Sequence, residues 1–331
     1  MMQMGTDSHE RRFLAAMPCL LIMLVLLSLL AGRVWLSPSE IFSGNGLSSL
    51  IVMQLRLPRT VLALLAGGAL GLSGAALQGL TRNPLAEPGL LGISSGASLG
   101  AVIAIYFGFS ALMPFAVPGF GLFGALAAMS LTFALGRGGG ILSLVLSGLA
   151  VNGLMAALIS LALNFAPSIE AAYEIMTWLM GSLSNRSWEH VLLAAPFVIL
   201  GSGLLFASGR ALDALTLGEV QAASLGIGIP RTRLLVLAGT AFATGAATSI
   251  MGSVGFVGLV SPHLVRPFFG YSPKRTLVPS ALMGAALMLT ADIATRLTAF
   301  GPEMNLGVFT ALLGSPFFFW LAMRKIGRAH V

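Results

Sequence analysis

The amino-acid sequence predicts an all-α polytopic membrane protein, with ten transmembrane helices in one domain over residues 1–331. Composition is the first observation: 56% of the residues are apolar, only 9% are charged, and the mean hydropathy is +0.94. A water-facing surface on a chain of this length needs far more charge. The second observation is that the apolar residues fall into runs close to the roughly 20 residues that span a bilayer.

The first apolar run, residues 13–31, follows Arg11 and Arg12 and is predicted to be an uncleaved helix. A cleaved signal peptide is the alternative, but its apolar stretch would be shorter and no Ala-x-Ala site follows Ala31. The later runs cover residues 60–80, 92–109, 115–135, 141–165, 190–208, 232–252, 254–266, 277–295 and 306–323. The run at 254–266 is short for a span, so it is either tilted or a half-helix.

The distribution of basic residues predicts that both termini are cytoplasmic. With ten spans in that orientation, thirteen of the eighteen Lys and Arg residues are cytoplasmic, as the positive-inside rule requires. The five outside are Arg33, Arg56, Arg59, Arg186 and Arg296. Because the bases are scattered over loops and form no patch, the net charge of +7 reflects topology, and we expect no nucleic-acid binding.

Small residues at helical spacing predict close helix packing. Gly67 and Gly71 form one GxxxG pattern, and Gly92, Gly96 and Gly100 form two that overlap. Such faces let helix backbones approach closely in lipid.

Three of the outward arginines lie at helix ends. Arg56 and Arg59 flank Pro58, which is favourable in the first turn of a helix, and Arg296 closes the run at 277–295. Snorkelling to lipid headgroups and docking of an acidic partner both remain open from spacing alone. Asp292, four residues before Arg296, is expected to neutralise it, and a proton path is the alternative.

The longest cytoplasmic segment, residues 210–230, predicts a short helix outside the membrane. Thr216 and Glu219 have the spacing of a capping box, and Gly226 would end the helix before Pro230. Because no Lys or Arg lies between Asp213 and Ile229, a groove on a protein partner is favoured over a lipid surface.

Several chemistries are disfavoured by the residue inventory. The single cysteine, Cys19, excludes a disulfide framework, and neither Lys274 nor Lys325 lies in a phosphate-binding GxxxxGK[ST] loop. The four histidines show no metal-binding spacing. We therefore expect no enzyme activity, no metal and no cofactor bound by this chain.

Four segments carry motifs that occur together in one family. They are residues 54–59 (QLRLPR) with 74–79, residues 82–96 (RNPLAEPGLLGISSG), residues 217–226 (LGEVQAASLG), and residues 255–266 (GFVGLVSPHLVR) with 291–296. Through them the chain resembles, from about Trp35 to Lys325, the FecCD-type permease subunits of type II ABC importers. That family takes up iron–siderophore complexes, haem and vitamin B12. The chain departs from the family pattern at Ser253 and at residues 303–307, where Asn305 replaces the usual proline.

The resemblance implies the type II ABC importer permease fold, with ten helices per subunit, in a bacterial inner membrane. The implied partners are membrane lipid, a second copy of the chain or a paralogous permease, two ATPase subunits that bind ATP and Mg, and a periplasmic substrate-binding protein. The implied cargo is a ferric siderophore or haem, with vitamin B12 as the alternative. An ion-coupled secondary transporter is the rival of another class, and Asp292 is its lone candidate residue.

The resemblance also assigns roles to individual residues. Those implied to couple to the ATPase are Leu217, Gly218, Glu219, Ala222, Leu225 and Gly226. Those implied to dock the binding protein are Arg56, Arg59 and Arg296. The fifth helix is expected to line the pathway with Asn152, Met155, Ser160 and Asn164, and the cytoplasmic gate is expected at Gly140, Ile141 and Leu142.

Overall fold

The computed structural model describes residues 3–32, 35–36, 46–297 and 304–328, and within these ranges the regular structure is entirely helical. Arg33 and the first residue of the 303–307 segment, Glu303, lie outside the described residues. The helices are α1 Gln3–Leu30, α2 Gly46–Leu50, α3 Leu57–Thr81, α4 Ile93–Tyr106, α5 Phe109–Leu112, α6 Ala116–Leu135, α7 Ile141–Asn164, α8 Ile169–Leu179, α9 Trp188–Ala207, α10 Gly209–Leu215, α11 Glu219–Ser224, α12 Ile229–Met251, α13 Val257–Val265, α14 Pro273–Leu297 and α15 Leu306–Arg328.

Seven stretches of helix in the described part of the chain are long and apolar enough to cross a membrane, which makes this a multi-pass membrane protein. They lie in α1, α2–α3, α6, α7, α9, α12 and α14. The three other predicted spans are shorter helices: α4, α13 and the apolar part of α15. At 1.5 Å per residue, α13 is only about 14 Å long, less than half of a ~30 Å hydrocarbon core. The run at 254–266 therefore forms a half-helix, and the count of ten spans stays a prediction.

The predicted glycine faces form close contacts between helix backbones. A Cβ added to Gly71 would lie 2.1 Å from the carbonyl oxygen of Ser280, so α3 and α14 touch backbone to backbone. A Cβ added to Gly96 would lie 2.5 Å from the carbonyl oxygen of Gly124, which joins α4 to α6 in the same way. The packing predicted from the GxxxG spacing is confirmed.

The second span begins earlier than the predicted start at residue 60. Helix α2 passes into a π-helical segment, Ile51–Arg56, and this continues directly into α3. The amide of Leu57 bonds to the carbonyl of Val52, five residues back. Proline lacks an amide donor, and Pro58 follows where the α-helical bonding pattern is already displaced, so it does not interrupt the helix.

Candidate functional site

A buried charge cluster joins α3 to α14. Arg59 donates from Nε to Asp292 Oδ1 at 2.8 Å, and Arg296 donates from Nη2 to the other carboxylate oxygen. The Asp292–Arg296 pair predicted from spacing is confirmed, and Asp292 is fully buried. Arg59 lies 233 residues away in sequence, so only the tertiary fold brings it to the carboxylate.

The same cluster binds the last turn of α1. Arg56 donates from Nη1 to the carbonyls of Leu29 and Leu30 at 2.7 and 2.8 Å, and Arg296 donates to the carbonyl of Ser28 at 2.8 Å. The last carbonyls of a helix lack partners within the helix and carry a partial negative charge. The two guanidinium groups therefore act as C-terminal caps for α1.

The arginines predicted to dock a binding protein are largely buried. Arg56 is 8% exposed and Arg296 is 6% exposed, so neither lies open on a surface, and the Arg59 side chain is 13% exposed. Among the described contacts, Arg59 and Arg296 share the Asp292 carboxylate, whereas Arg56 binds the end of α1. Docking of an acidic partner at these arginines remains a prediction.

Two of the sequence motifs meet at the break between α12 and α13. A Cβ added to Gly74 would lie 1.8 Å from the carbonyl oxygen of Gly258, so the backbones of α3 and α13 are in direct contact. Gln78 donates to the carbonyl of Leu259 at 3.4 Å and accepts a bond from Nη2 of Arg266. A single glutamine side chain thus links the motif in α3 to the motif at 255–266.

Glu87 joins a third motif to this junction. Its carboxylate accepts a hydrogen bond from the backbone N–H of Phe256, the residue before α13, and burial raises the pKa of the Glu87 carboxyl. Phe256 has a φ of +67°, a strained conformation for a bulky residue. The acceptor at Glu87 stabilises that turn, and no local pattern in the sequence pointed to this contact.

The start of the predicted coupling helix differs from the prediction. Thr216 ends α10, with its Oγ1 donating to the carbonyl of Asp213 at 2.6 Å, and Gly218 is the N-cap of α11. The capping box of Thr216 and Glu219 is therefore wrong. Gly218 has a φ of +108°, a conformation that glycine tolerates and that separates the two helices. Glu219 becomes the first residue of α11, where a negative charge favours the helix N-terminus.

The end of the coupling helix is as predicted. The amide of Gly226 bonds to Ala223 and that of Ile227 bonds to Ala222, which together form a Schellman motif with Gly226 at a φ of +80°. Of the predicted coupling residues, Ala222 is buried, whereas Leu217 and Leu225 are 62% and 64% exposed. The segment therefore presents apolar side chains away from the body of the protein.

The Glu219 carboxylate forms an ion pair with an arginine of the same chain. Arg233, in the first part of α12, donates from Nη2 to both carboxylate oxygens of Glu219 at 2.9 and 3.1 Å. Its Nη1 donates to the carbonyl of Gly139 at 3.0 Å, in the loop before α7. The predicted coupling segment and the loop at the predicted gate therefore share one arginine, which the sequence analysis did not single out.

The predicted pathway residues on α7 divide between two environments. Leu144, Gly148 and Val151 form the buried stripe of the helix. Ser160 and Asn164 are exposed on the opposite side, and Asn152 and Met155 are half-buried closer to the packed stripe. Among the predicted gate residues Leu142 is 72% exposed, Ile141 is half-buried, and Gly140 is the extended N-cap of α7. The pathway and gate assignments remain predictions.

Comparisons with known proteins agree on the family. The FecCD transport family matches residues 20–324. The chain is 39% identical over 322 residues, 97% of its length and 96% of the relative, to the vitamin B12 import system permease protein BtuC of Klebsiella pneumoniae. It is 38% identical over 83% of its length and 79% of the relative to the uncharacterized ABC transporter permease protein YvrB of Bacillus subtilis.

Solved structures show the same fold. One, described as an inward-facing metal-chelate type ABC transporter, matches with a TM-score of 0.87 and 32% identity over 95% of this chain and 99% of that chain. A second, PsaBC from Streptococcus pneumoniae, shares only 15% identity at a TM-score of 0.53, so it supports the fold alone. From the family match, the relatives and the helical architecture together, we conclude that this chain is a transport permease of the FecCD family.

Proposed function

We propose that this chain is the inner-membrane permease subunit of an ABC importer, with ten spans and both termini in the cytoplasm. A second copy or a paralogous permease completes the pathway. ATP and Mg are bound by two partner ATPase subunits, and a periplasmic binding protein delivers the cargo to the end that carries the arginine cluster.

The observation that carries this proposal is the exposed apolar surface of residues 217–226. Leu217, Val220 and Leu225 are all more than 60% exposed, on a segment outside the candidate spans. An apolar surface at a polar boundary is typical of a protein-binding site, and a short helix suits a groove on a partner. Anchored by Arg233 at one end and by the Schellman motif at the other, the segment can transmit force.

For the cargo, we propose a corrinoid such as vitamin B12. Support comes from relatives at 38–39% identity that are named as vitamin B12 import permeases and are matched over nearly their whole length. This reverses the order of our sequence-based expectation, which placed ferric siderophores and haem first. A metal chelate is the second candidate, because the structure with a TM-score of 0.87 is described as a metal-chelate type transporter.

The mechanism we propose is alternating access. Nucleotide-driven closure of the ATPases moves the coupling segment, and the two α7 helices rock about the pathway as rigid bodies. The exposed side of α7 combines the polar Ser160 and Asn164 with leucines such as Leu154, and the helix carries no charged side chain. Such a wall releases a bulky cargo because it holds no tight binding site.

Uptake by the reconstituted complex tests the proposal. The permease, the co-expressed ATPase subunits and the binding protein are placed in proteoliposomes, and entry of cyanocobalamin, ferrichrome or haemin is measured with MgATP or with a proton gradient. We expect ATP-dependent entry of cyanocobalamin. Entry driven by the gradient without the ATPases would contradict the proposal, and ATP-dependent entry of a ferric chelate alone would replace the corrinoid.

A pair of variants tests the coupling surface. Val220→Asp places a charge on the most exposed apolar position of α11 and is expected to abolish co-purification of the ATPases. Ser224→Asp adds the same charge to an exposed position of the same helix without removing an apolar side chain, and is expected to retain them. Equal assembly by both variants would contradict a docking role for this surface.

A further inference from the structure

Arg233 connects two cytoplasmic segments that are far apart in sequence. Gly139 lies 94 residues before it and Glu219 lies 14 residues before it. Its two terminal nitrogens donate to different partners: Nη2 donates to the carboxylate of Glu219, and Nη1 donates to the carbonyl of Gly139. The Arg233 side chain is 17% exposed, so these bonds are partly shielded from water.

The gate-side partner of this arginine is a pliable loop. Residues 138–140 are three consecutive glycines, and Gly138 has a φ of +81°. A Cβ placed on Gly138 or Gly140 would have no atom within 4 Å, so the loop is loosely packed on those sides. Because glycine fixes its own backbone weakly, the bond from Arg233 to Gly139 contributes much of the loop's position.

Arg233 itself is carried by a long helix, and a cleft lies beside it. Arg233 projects from the first turns of α12, a helix of 23 residues. A cleft of about 580 Å³ separates the segments that it bridges, and Phe133, Arg137 and Leu144 are among its lining residues. The loop therefore has room to move when the arginine moves.

We propose that Arg233 is a positioning residue that transmits displacement of the coupling helix to the gate loop, residues 136–140, which leads into the predicted cytoplasmic gate at Gly140, Ile141 and Leu142. The inference rests on the proposed function, because it takes α11 as the segment that the ATPase moves. A guanidinium group is a planar fork of fixed geometry, so a shift of the Glu219 carboxylate turns the plane that also holds the Gly139 carbonyl. Lysine has three donors, but all are on one freely rotating ammonium nitrogen, so it lacks the rigid pair of nitrogens that fixes the two partners relative to each other.

Hydrogen exchange of the assembled complex tests the proposal without knowledge of the cargo. The full chain with its ATPase subunits is placed in nanodiscs, and amide exchange is followed by mass spectrometry with and without MgATP. In the wild type we expect nucleotide to change exchange in both residues 217–226 and residues 136–144. In Arg233→Lys we expect the first response to persist and the second to fall about fivefold or more, the range of a typical coupling energy.

Matched variants separate transmission through Arg233 from a nonspecific effect of replacing an arginine by lysine. Arg231→Lys makes the same change on an exposed arginine two positions away and is expected to behave as the wild type. The exchange of charges in Glu219→Arg with Arg233→Glu restores an ion pair, but glutamate cannot donate to the Gly139 carbonyl. We expect this double variant to leave the gate-loop response lost, whereas a purely structural ion pair would be rescued by it.

The possible results separate the role of Arg233 from the proposed coupling to the ATPase. A wild-type gate-loop response in Arg233→Lys, or its recovery in the charge exchange, would overturn the role of Arg233. If wild-type residues 217–226 show no response to nucleotide, the proposed ATPase coupling fails instead. Should Arg233→Lys not assemble, Glu219→Gln weakens only the α11 side, and we expect it to reduce the gate-loop response while the bond to Gly139 remains.

Discussion

Replacement of Asp292 by asparagine removes the buried carboxylate that Arg59 and Arg296 share and is expected to destabilise the protein strongly. The Asp292 side chain is 1% exposed, and its partners Arg59 and Arg296 are 13% and 5% exposed, so water screens these pairs little. Each hydrogen bond to a charged group contributes about 1.5–3 kcal/mol, and removal of one partner of a buried ion pair costs about 3–5 kcal/mol. Asparagine can still accept one bond, so we expect a loss of about 3–5 kcal/mol in the free energy of unfolding.

Thermal unfolding of the purified protein in nanodiscs, followed by tryptophan fluorescence, measures this loss. A cost of that size lowers the Tm by roughly 5–10 °C. Asp213→Asn is the matched control. Asp213 accepts from Ser272 Oγ and from the backbone N–H of Lys274, both at 2.9 Å, and lies half-buried at the opposite end of α14. Its loss is expected to cost about 1 kcal/mol.

Two results would refute this reasoning about the cluster. One is an equal loss of stability in Asp292→Asn and Asp213→Asn, which would show that the buried pairs add nothing. The other is additivity of the two variants. Because Arg59 and Asp292 share an interaction, Arg59→Gln should cost roughly 1 kcal/mol less in the Asp292→Asn background than alone.

The same ion pair determines which variant should test docking of a binding protein. Arg59→Gln is preferable to Arg59→Glu, because glutamate would place a second carboxylate beside Asp292.

Two further predictions concern packing and pH. Gly71→Ala is expected to lower the free energy of unfolding by about 1–3 kcal/mol or to prevent folding, because the added Cβ would lie 2.1 Å from the Ser280 carbonyl oxygen. In Gly68→Ala the added Cβ meets its nearest atom at 3.7 Å, so this control should be neutral or slightly stabilising in the same unfolding assay. Burial raises the pKa of the Glu87 carboxyl above its ordinary 4.5, so the folded state retains this proton to a higher pH than the unfolded chain does. The bound proton therefore stabilises the folded state. This contribution is complete below about pH 4.5 and is lost as the pH rises through the folded pKa. Glu87→Gln should therefore flatten the decline of Tm with rising pH, and an unchanged pH profile would contradict the assignment.

The positions of the helices and the glycine faces at which some of them pack could be predicted because their signals are local. Apolar runs set the positions of the spans, and the spacing of Gly67 and Gly71 identified a face that meets α14. Gly226 ends α11 because a positive φ is required there and glycine adopts it without strain. In each case the residues that determine the structure lie within a few turns of one another.

The capping of α11 shows how tertiary contacts override such a signal. Thr216 and Glu219 match the capping-box spacing, but Asp213 accepts bonds from Ser272 and Lys274 at the start of α14 and so holds α10 in place. Thr216 then becomes the C-cap of α10, and the next helix begins only after Gly218, which adopts a positive φ. The deciding partners lie about 60 residues away, beyond any local pattern.

The buried arginines illustrate why the two interpretations left open by the sequence were incomplete. Lipid snorkelling and partner docking both assume that the guanidinium groups face outward, yet Arg56 and Arg296 bind the terminal carbonyls of α1. A cation at a helix C-terminus is stabilised by the helix dipole whichever side of the membrane it occupies. Capping therefore gives these bases a structural reason for their position, including on the outer side where the charge distribution predicts them to lie.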